Sequence, residues 1–480
     1  MSQTRPRSRA SDPARAVPGS AEAIAAATPE GRDRWVDLLR VGSLFVVVLG
    51  HWLMVDITPD GRIANALAEV PALQPLTWLL QVMPLFFLVG GVAHAHTLES
   101  LERRHPVGRG RYAAFFRARA LRLLRPTLAF LVVWAAIGAA ADLTGLTSRP
   151  GDAGRIAREA LVLVPQLLWF VGIYLGACAF APLMRDLHRR WGLGVVAGLV
   201  TAACLVDLVR FGGGPELVGN LNFALVWLAL HQLGFAWRDD LLTIRRGWGM
   251  AVGGFAAMGL LVGLGPYPVS MVGLPGEAVS NMAPPTVALL AQGLGICGLA
   301  VLLRPLMTRV LARPSAWRAV VVAGPFAMTA FLWHLTALLT VLLVTRAVGV
   351  SQPATGTLAW WLTRPLLFAV LATVTAVLVA VFVRFDRSPR PAGPSRPAGP
   401  SRAARPRTPA RPWADPLAAV AAAVLFFGIL VVSIVGVDVL GNRPVFFLVA
   451  DVTPLVGFAV LGLGLVLLRA TRPQGDAQAR

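Results

Sequence analysis

The sequence predicts an all-α protein, a polytopic bundle of transmembrane helices with a ten-helix unit followed by two further C-terminal helices. Three observations predict it. Apolar residues make up 56% of the 480-residue chain and charged ones 14%, with a mean hydropathy of +0.67, whereas soluble domains carry about 45–50% and about 25%. The apolar residues gather into runs of the length, roughly 20 residues, that a helix needs to cross hydrocarbon. The charge is one-sided: 44 basic residues, all arginine, oppose 24 acidic ones for a net +20. Those arginines flank the apolar runs instead of lining amphipathic faces, which points to a lipid bilayer and not to nucleic acid as partner. An ordinary soluble enzyme, a disordered chain and a coiled coil are excluded.

Taken in order, residues 1–33 are polar, rich in Arg, Ala and Pro, and lack an apolar stretch of signal-peptide length. They read as a disordered basic cytosolic tail. Residues 34–385 form the ten-helix unit, with spans near 38–56, 76–96, 125–143, 161–182, 193–210, 220–237, 248–265, 285–303, 322–345 and 357–383. The even-numbered loops are basic: Arg103 to Arg122 in the second, Arg185, Arg189 and Arg190 in the fourth, Arg238, Arg245 and Arg246 in the sixth, Arg304 to Arg318 in the eighth. The odd loops are poorer, the seventh having no arginine between 266 and 284. The weak case is the third, where Arg149, Arg155 and Arg158 face Asp152 and Glu159. Positive charge stays on the cytoplasmic side of a membrane protein, so the alternation predicts a multi-pass cell-membrane protein with both termini in the cytoplasm. Residues 386–413 are a Pro/Arg-rich linker in which RPAGPS occurs twice in succession, stiff and cytosolic. Two more spans, near 416–437 and 445–468, make a membrane appendix over 414–470, and 471–480 is a cytosolic tail. Cys178, Cys204 and Cys297 lie singly in apolar runs and read as small core residues.

Ionisable residues inside spans are costly and mark function by default. The first span carries Asp37, Arg40 and His51. Arg40 and His51 are eleven residues apart, about 20° from three full turns, so they share one stripe some ~16 Å apart along the axis. Asp37 can pair with Arg40 one turn away. A buried neutral imidazole can take a proton from a hydroxyl and return it to a leaving group, and a guanidinium at the rim suits phosphate. The bland alternative is a packing histidine and a topology anchor. Before the third span, Arg119, Arg122 and Arg125 recur at i, i+3, i+6, which would cluster three guanidinium groups at the cytosolic rim, near the level of Arg40, unless they too are only anchors. In the second span Pro84 can kink the helix, and Gly90 and Gly91 permit close helix approach.

Together these residues resemble the acyltransferase family 3 membrane O-acyltransferases. The likeness rests on Asp37-x-x-Arg40, the R-x10-H spacing to His51, Pro84-Leu-Phe-Phe87 and the RxxR pair Arg119/Arg122, with weaker echoes at Trp169-Phe170, Tyr174 and Leu332-Trp333-His334, and it covers roughly residues 33–385. One departure is Gly90, where the family usually has serine before glycine. The resemblance implies transfer of an acyl group, often acetyl, from cytosolic acyl-CoA to a hydroxyl of a glycan or lipid-linked acceptor of the cell envelope. Acyl-CoA would be a co-substrate, with no permanently bound cofactor. It further implies His51 as catalytic base, Arg40 as a nearby essential residue, and Arg119 and Arg122 as acyl-CoA ligands. Arg125 joins them on the helical-face argument alone.

His334 falls mid-span in the ninth helix and can reach the depth of His51, as a site residue or as packing. His94 and His96, two apart, point to opposing helix faces and so share no metal. His231 reads as packing or pore lining, His105 and His188 as loop residues, and Asp207 as a solvated helix end or the wall of an acceptor cavity. A secondary transporter is the main rival, since twelve spans with intramembrane His and Arg suit one. Against it, the long linker follows the tenth span and no matching broken helices divide the chain into halves.

Overall fold

The computed structural model describes residues 28–29, 31–57, 63–104, 108–350, 352–385, 411–448 and 450–472. Most of the N-terminal tail, the linker over 386–410 and the last eight residues lie outside the described residues, as does His105. Among the described residues, eleven segments are long and apolar enough to cross a membrane, and they follow the first eleven predicted spans in order. The helices are α1 (Arg34–Met54), α2 (Met83–Arg104), α3 (Arg111–Leu143), α4 (Asp152–Gln166), α5 (Leu168–Trp191), α6 (Gly194–Phe211) and α7 (Asn222–Arg238), then α8 (Ile244–Leu264), α9 (Val287–Leu311), α10 (Pro314–Ala323), α11 (Ala327–Ala347), α12 (Leu358–Phe382), α13 (Ala414–Val435) and α14 (Pro454–Ala470). Short helical turns at Ala66–Glu69, Pro71–Leu76, Thr77–Leu80, Glu216–Leu221 and Val383–Phe385 and two antiparallel hairpins, β1 (Val55–Ile57) with β2 (Ile63–Asn65) and β3 (Val445–Phe447) with β4 (Ala450–Val452), complete the order.

Two span boundaries change. The twelfth span does not start at 445. That stretch is the β3–β4 hairpin, and α14 begins only at Pro454, where the Thr453 side chain accepts the Val456 N–H and proline occupies the first turn. The resulting helix has 17 residues. The third span also starts earlier than 125. Its arginine-rich approach is helical from Arg111 onward, and the helix runs through Pro126 to a length of 33 residues. Arg, Ala and Leu are good helix formers. At 1.5 Å per residue the helix is ~50 Å long, well beyond a hydrocarbon core of about 30 Å, so its basic first turns stand outside that core.

The C-terminal helices pack into the same core. The Asp415 carboxylate at the start of α13 accepts the N–H groups of Gly110 and Ala113, capping α3. Further along α13, Phe426 and Ile429 press against Gly172 and Gly176 of α5, while Val437 N–H donates to the Leu161 carbonyl of α4. At the other end of α3 the Asp142 carboxyl neighbours that of Asp438, and burial together with that neighbour raises the pKa of Asp438.

The tightest crossing is between α2 and α7. A Cβ on Gly91 would stand 2.1 Å from the His231 carbonyl oxygen, and one on Gly234 2.1 Å from that of Leu88. Gly91 therefore performs the close approach expected of it. Asp207, by contrast, is neither solvated nor free to face a substrate. It is 2% exposed and accepts hydrogen bonds from Asn222 (2.9 Å), Tyr267 (3.1 Å) and the Val287 N–H (2.8 Å), pinning the long loop before α9.

Candidate active site

At the arginine-rich end of the bundle, α1, α2, α3, α5, α10 and the start of α11 enclose a cavity of about 610 Å³. Arg32, Arg40, Arg119 and Arg122 all line it, together with Asp37 and Trp317. The predicted meeting of the first-span arginine with the RxxR pair is thus realised. Each guanidinium is held differently. Asp37 pairs with Arg40 at 3.5 Å, but its closer partner is Arg32, which engages both carboxylate oxygens at 2.6 and 3.1 Å. That hydrogen bond raises the pKa of Arg32. Asp37 therefore bridges two arginines, only one of which the spacing suggested. Arg119 donates from one terminal nitrogen to the Ala93 carbonyl (2.6 Å) and to the Thr97 hydroxyl of α2, while its Nε makes no hydrogen bond among the described residues. Arg122 is exposed along the cavity wall.

Arg125 does not join them. It is exposed and absent from the residues that line the cavity. Three residues advance a helix by about 300°, so two such steps leave Arg125 roughly 120° away from Arg119. The i, i+3, i+6 pattern spirals off the face instead of following it.

The Gly90 departure has a local reason. A Cβ there would lie 2.8 Å from Tyr174 Cε2 and 3.0 Å from its hydroxyl. The phenol of Tyr174 thus occupies the space beside residue 90 and carries a hydroxyl onto the cavity wall.

His51 lies deeper than the cavity and is not among its lining residues. It meets His334 of α11: the two rings are 5.0 Å apart, and His51 Nδ1 is 3.1 Å from His334 Nε2. His334 Nδ1 is 2.5 Å from the Phe331 carbonyl oxygen. A carbonyl only accepts, so that nitrogen carries the proton, and in a neutral ring Nε2 is then an acceptor. His51 must donate to it from Nδ1. The lone pair of His51 is left on Nε2, the tautomer a general base needs. Between cavity and imidazoles runs an aromatic series: Tyr174 to Phe86 (5.2 Å), Phe86 to Phe170 (4.8 Å), Phe170 to Phe331 (5.5 Å) and Phe331 to His334 (5.9 Å).

The fold brings together a second histidine pair that spacing did not foreshadow. His94 Nδ1 and His231 Nε2 are 2.8 Å apart, with Cys178 Sγ 3.4 Å from His94 Nε2, all fully buried where α2, α5 and α7 meet. His96 faces outward, as the two-residue spacing requires. His188 lies on α5, buried against Gln232 and Asp239, and not in a loop.

Among the described residues, eleven segments long and apolar enough to cross a membrane surround a basic cavity, with an imidazole farther along the same first helix, and together they define an integral membrane protein. Residues 33–385 match the model of acyltransferase family 3, described as an acyltransferase domain, and the chain belongs to that family: it is a multi-pass membrane acyltransferase. No curated protein and no solved structure matches the chain.

Proposed function

We propose that the protein transfers an acyl group, acetyl in the simplest case, from acyl-CoA to a hydroxyl of a glycan or lipid-linked acceptor. The observation that carries this reading is the division of one structural stripe. Four guanidinium groups, those of Arg32, Arg40, Arg119 and Arg122, gather around a cavity at the basic end, and an imidazole with its lone pair on Nε2 stands ~16 Å beyond Arg40 along α1. Guanidinium groups suit the phosphates of CoA. The pantetheine arm then carries the thioester inward past Leu44, Phe86 and Met328, which line the cavity. The basic end of the bundle faces the cytosol, where acyl-CoA is found, and both termini lie on that side.

His51 Nε2 takes the proton of the acceptor hydroxyl as its oxygen attacks the thioester carbonyl. The tetrahedral intermediate collapses, the C–S bond breaks, and the imidazolium returns the proton to the departing sulfur. An ester and free CoA result, so atoms and charge balance. His334 holds the tautomer and Asp37 steadies Arg40. General-base catalysis of this kind contributes about 10²–10⁴-fold.

The test is turnover of radiolabelled acetyl-CoA by the purified protein in lipid nanodiscs. Wild type should release CoA slowly with water as acceptor. His51→Ala should lose that rate, and the Arg119→Ala/Arg122→Ala variant should raise the acetyl-CoA KM. A wild-type protein that neither binds nor turns over acetyl-CoA would remove the donor from this reading and leave the transporter hypothesis in its place.

A further inference from the structure

On the proposed reading an acceptor must approach His51 from the end opposite the arginine-rich cavity, and Asp56 and Arg364 are buried charged residues toward that end, on the elements that flank His51. Asp56 follows α1 in β1 and is 3% exposed; Arg364 lies in the second turn of α12 and is 5% exposed. The two helices are in register there, because the rings of Trp52 and Phe368 meet edge to face at 5.9 Å, one turn inward of the pair. From His51 to Asp56 are three helical and two extended steps, roughly 11 Å of chain, about the reach of a sugar ring with its substituents.

Arg364 is held by its stem and not by its fork. Its Nε donates to the Trp360 carbonyl at 3.2 Å, and its guanidinium lies 4.4 Å from the Trp360 ring centre. Asp56 Oδ2 accepts the Trp360 indole N–H at 2.8 Å and stands 3.6 Å from Arg364 Nη1, within ion-pair range but too far for a hydrogen bond. Both Nη1 and Nη2 are buried without a hydrogen-bond acceptor among the described residues. Buried donors of this kind are nearly always satisfied, so the four N–H groups call for a partner that arrives from outside. A structural ion pair would close the fork on the carboxylate. A topology anchor would belong at the basic end, and Arg364 is at the other one.

We infer that Arg364, oriented by Trp360 and Asp56, binds an anionic group of the acceptor, a carboxylate or a phosphate, while a neighbouring hydroxyl reaches His51. Two oxygens of one anionic group match the geometry and charge of the guanidinium fork, whereas a neutral hydroxyl offers one oxygen and no charge. This inference rests on the acyltransferase reading above and deepens it by naming the acceptor's charge.

The test uses the full chain in nanodiscs with acetyl-CoA and three soluble probes that share a pyranose ring: methyl glucoside, methyl glucuronoside and glucose 6-phosphate. CoA release and acetylated probe are both measured. One anionic probe should show a KM at least tenfold below that of methyl glucoside, and which one it is separates carboxylate from phosphate. Arg364→Gln should raise that KM tenfold or more and leave the KM for methyl glucoside and for acetyl-CoA in place. Should that variant fail to fold, Arg364→Lys keeps the charge without the fork and should raise the anionic probe's KM severalfold. Equal handling of neutral and anionic probes by wild type, or an equal shift of all three in either variant, would overturn the inference. Absence of any acetyl-CoA turnover in wild type would instead overturn the reading beneath it.

Discussion

Replacing His334 tests the orientation of the base more sharply than replacing the base itself. His334 contributes one acceptor, Nε2, 3.1 Å from His51 Nδ1, and is itself fixed by the Phe331 carbonyl. In His334→Ala the His51 N–H loses that partner. A neutral hydrogen bond contributes about 0.5–1.5 kcal/mol net. If that energy holds the lone pair on Nε2, its loss lowers the productive tautomer by about 2–13-fold, since 1.4 kcal/mol is a factor of about ten. Added freedom of the ring enlarges the effect, so kcat should fall about 10–50-fold, short of the 10²–10⁴-fold expected for His51→Ala. The acetyl-CoA KM should hold, because His334 is not among the residues that line the cavity. His334→Gln, whose side-chain carbonyl can accept from His51 Nδ1, should recover a good part of kcat. Steady-state CoA release in nanodiscs, with melting temperature recorded for each variant, reads all three. An alanine variant with wild-type kcat, or a glutamine variant no better than alanine at equal stability, would refute the assignment of the tautomer.

Two further outcomes follow from packing. Gly91→Ala sets a Cβ 2.1 Å from the His231 carbonyl and should force α2 and α7 apart, costing about 1–3 kcal/mol against a helix-propensity gain of up to about 1 kcal/mol; Gly90→Ala meets only the tiltable ring of Tyr174 and should cost less, so equal melting temperatures for the two would contradict the crossing. Asp415→Ala removes both side-chain acceptors at the start of α3, worth about 0.5–2 kcal/mol for a capping carboxylate. Because α3 carries Arg119 and Arg122, that variant should raise the acetyl-CoA KM severalfold, and calorimetric CoA binding equal to wild type would show that α3 needs no such cap.

The spans were legible in the sequence because the hydrocarbon thickness imposes a length and a polarity on each one, and those demands are met residue by residue. Eleven of twelve predicted spans correspond to long apolar helices, and the shortfall at 445–453 came from a hairpin whose Val, Phe and Ala are as apolar as a helix. The Arg40–His51 stripe was equally legible, since helical periodicity is a local property of the chain. Periodicity also misled, because the drift that separates Arg125 from Arg119 is small over one turn and large over two. What no local rule contains is which helices become neighbours. The pairing of His51 with His334 across 283 residues, the His94–His231 contact and the phenol of Tyr174 beside Gly90 all depend on how the helices pack sideways. So does the open fork of Arg364 beside Asp56. Hydrophobicity drives each helix into the bilayer but is indifferent among apolar neighbours once there. The choice among them is made by close packing at glycines and by side-chain hydrogen bonds, and those exist only when the tertiary structure is complete.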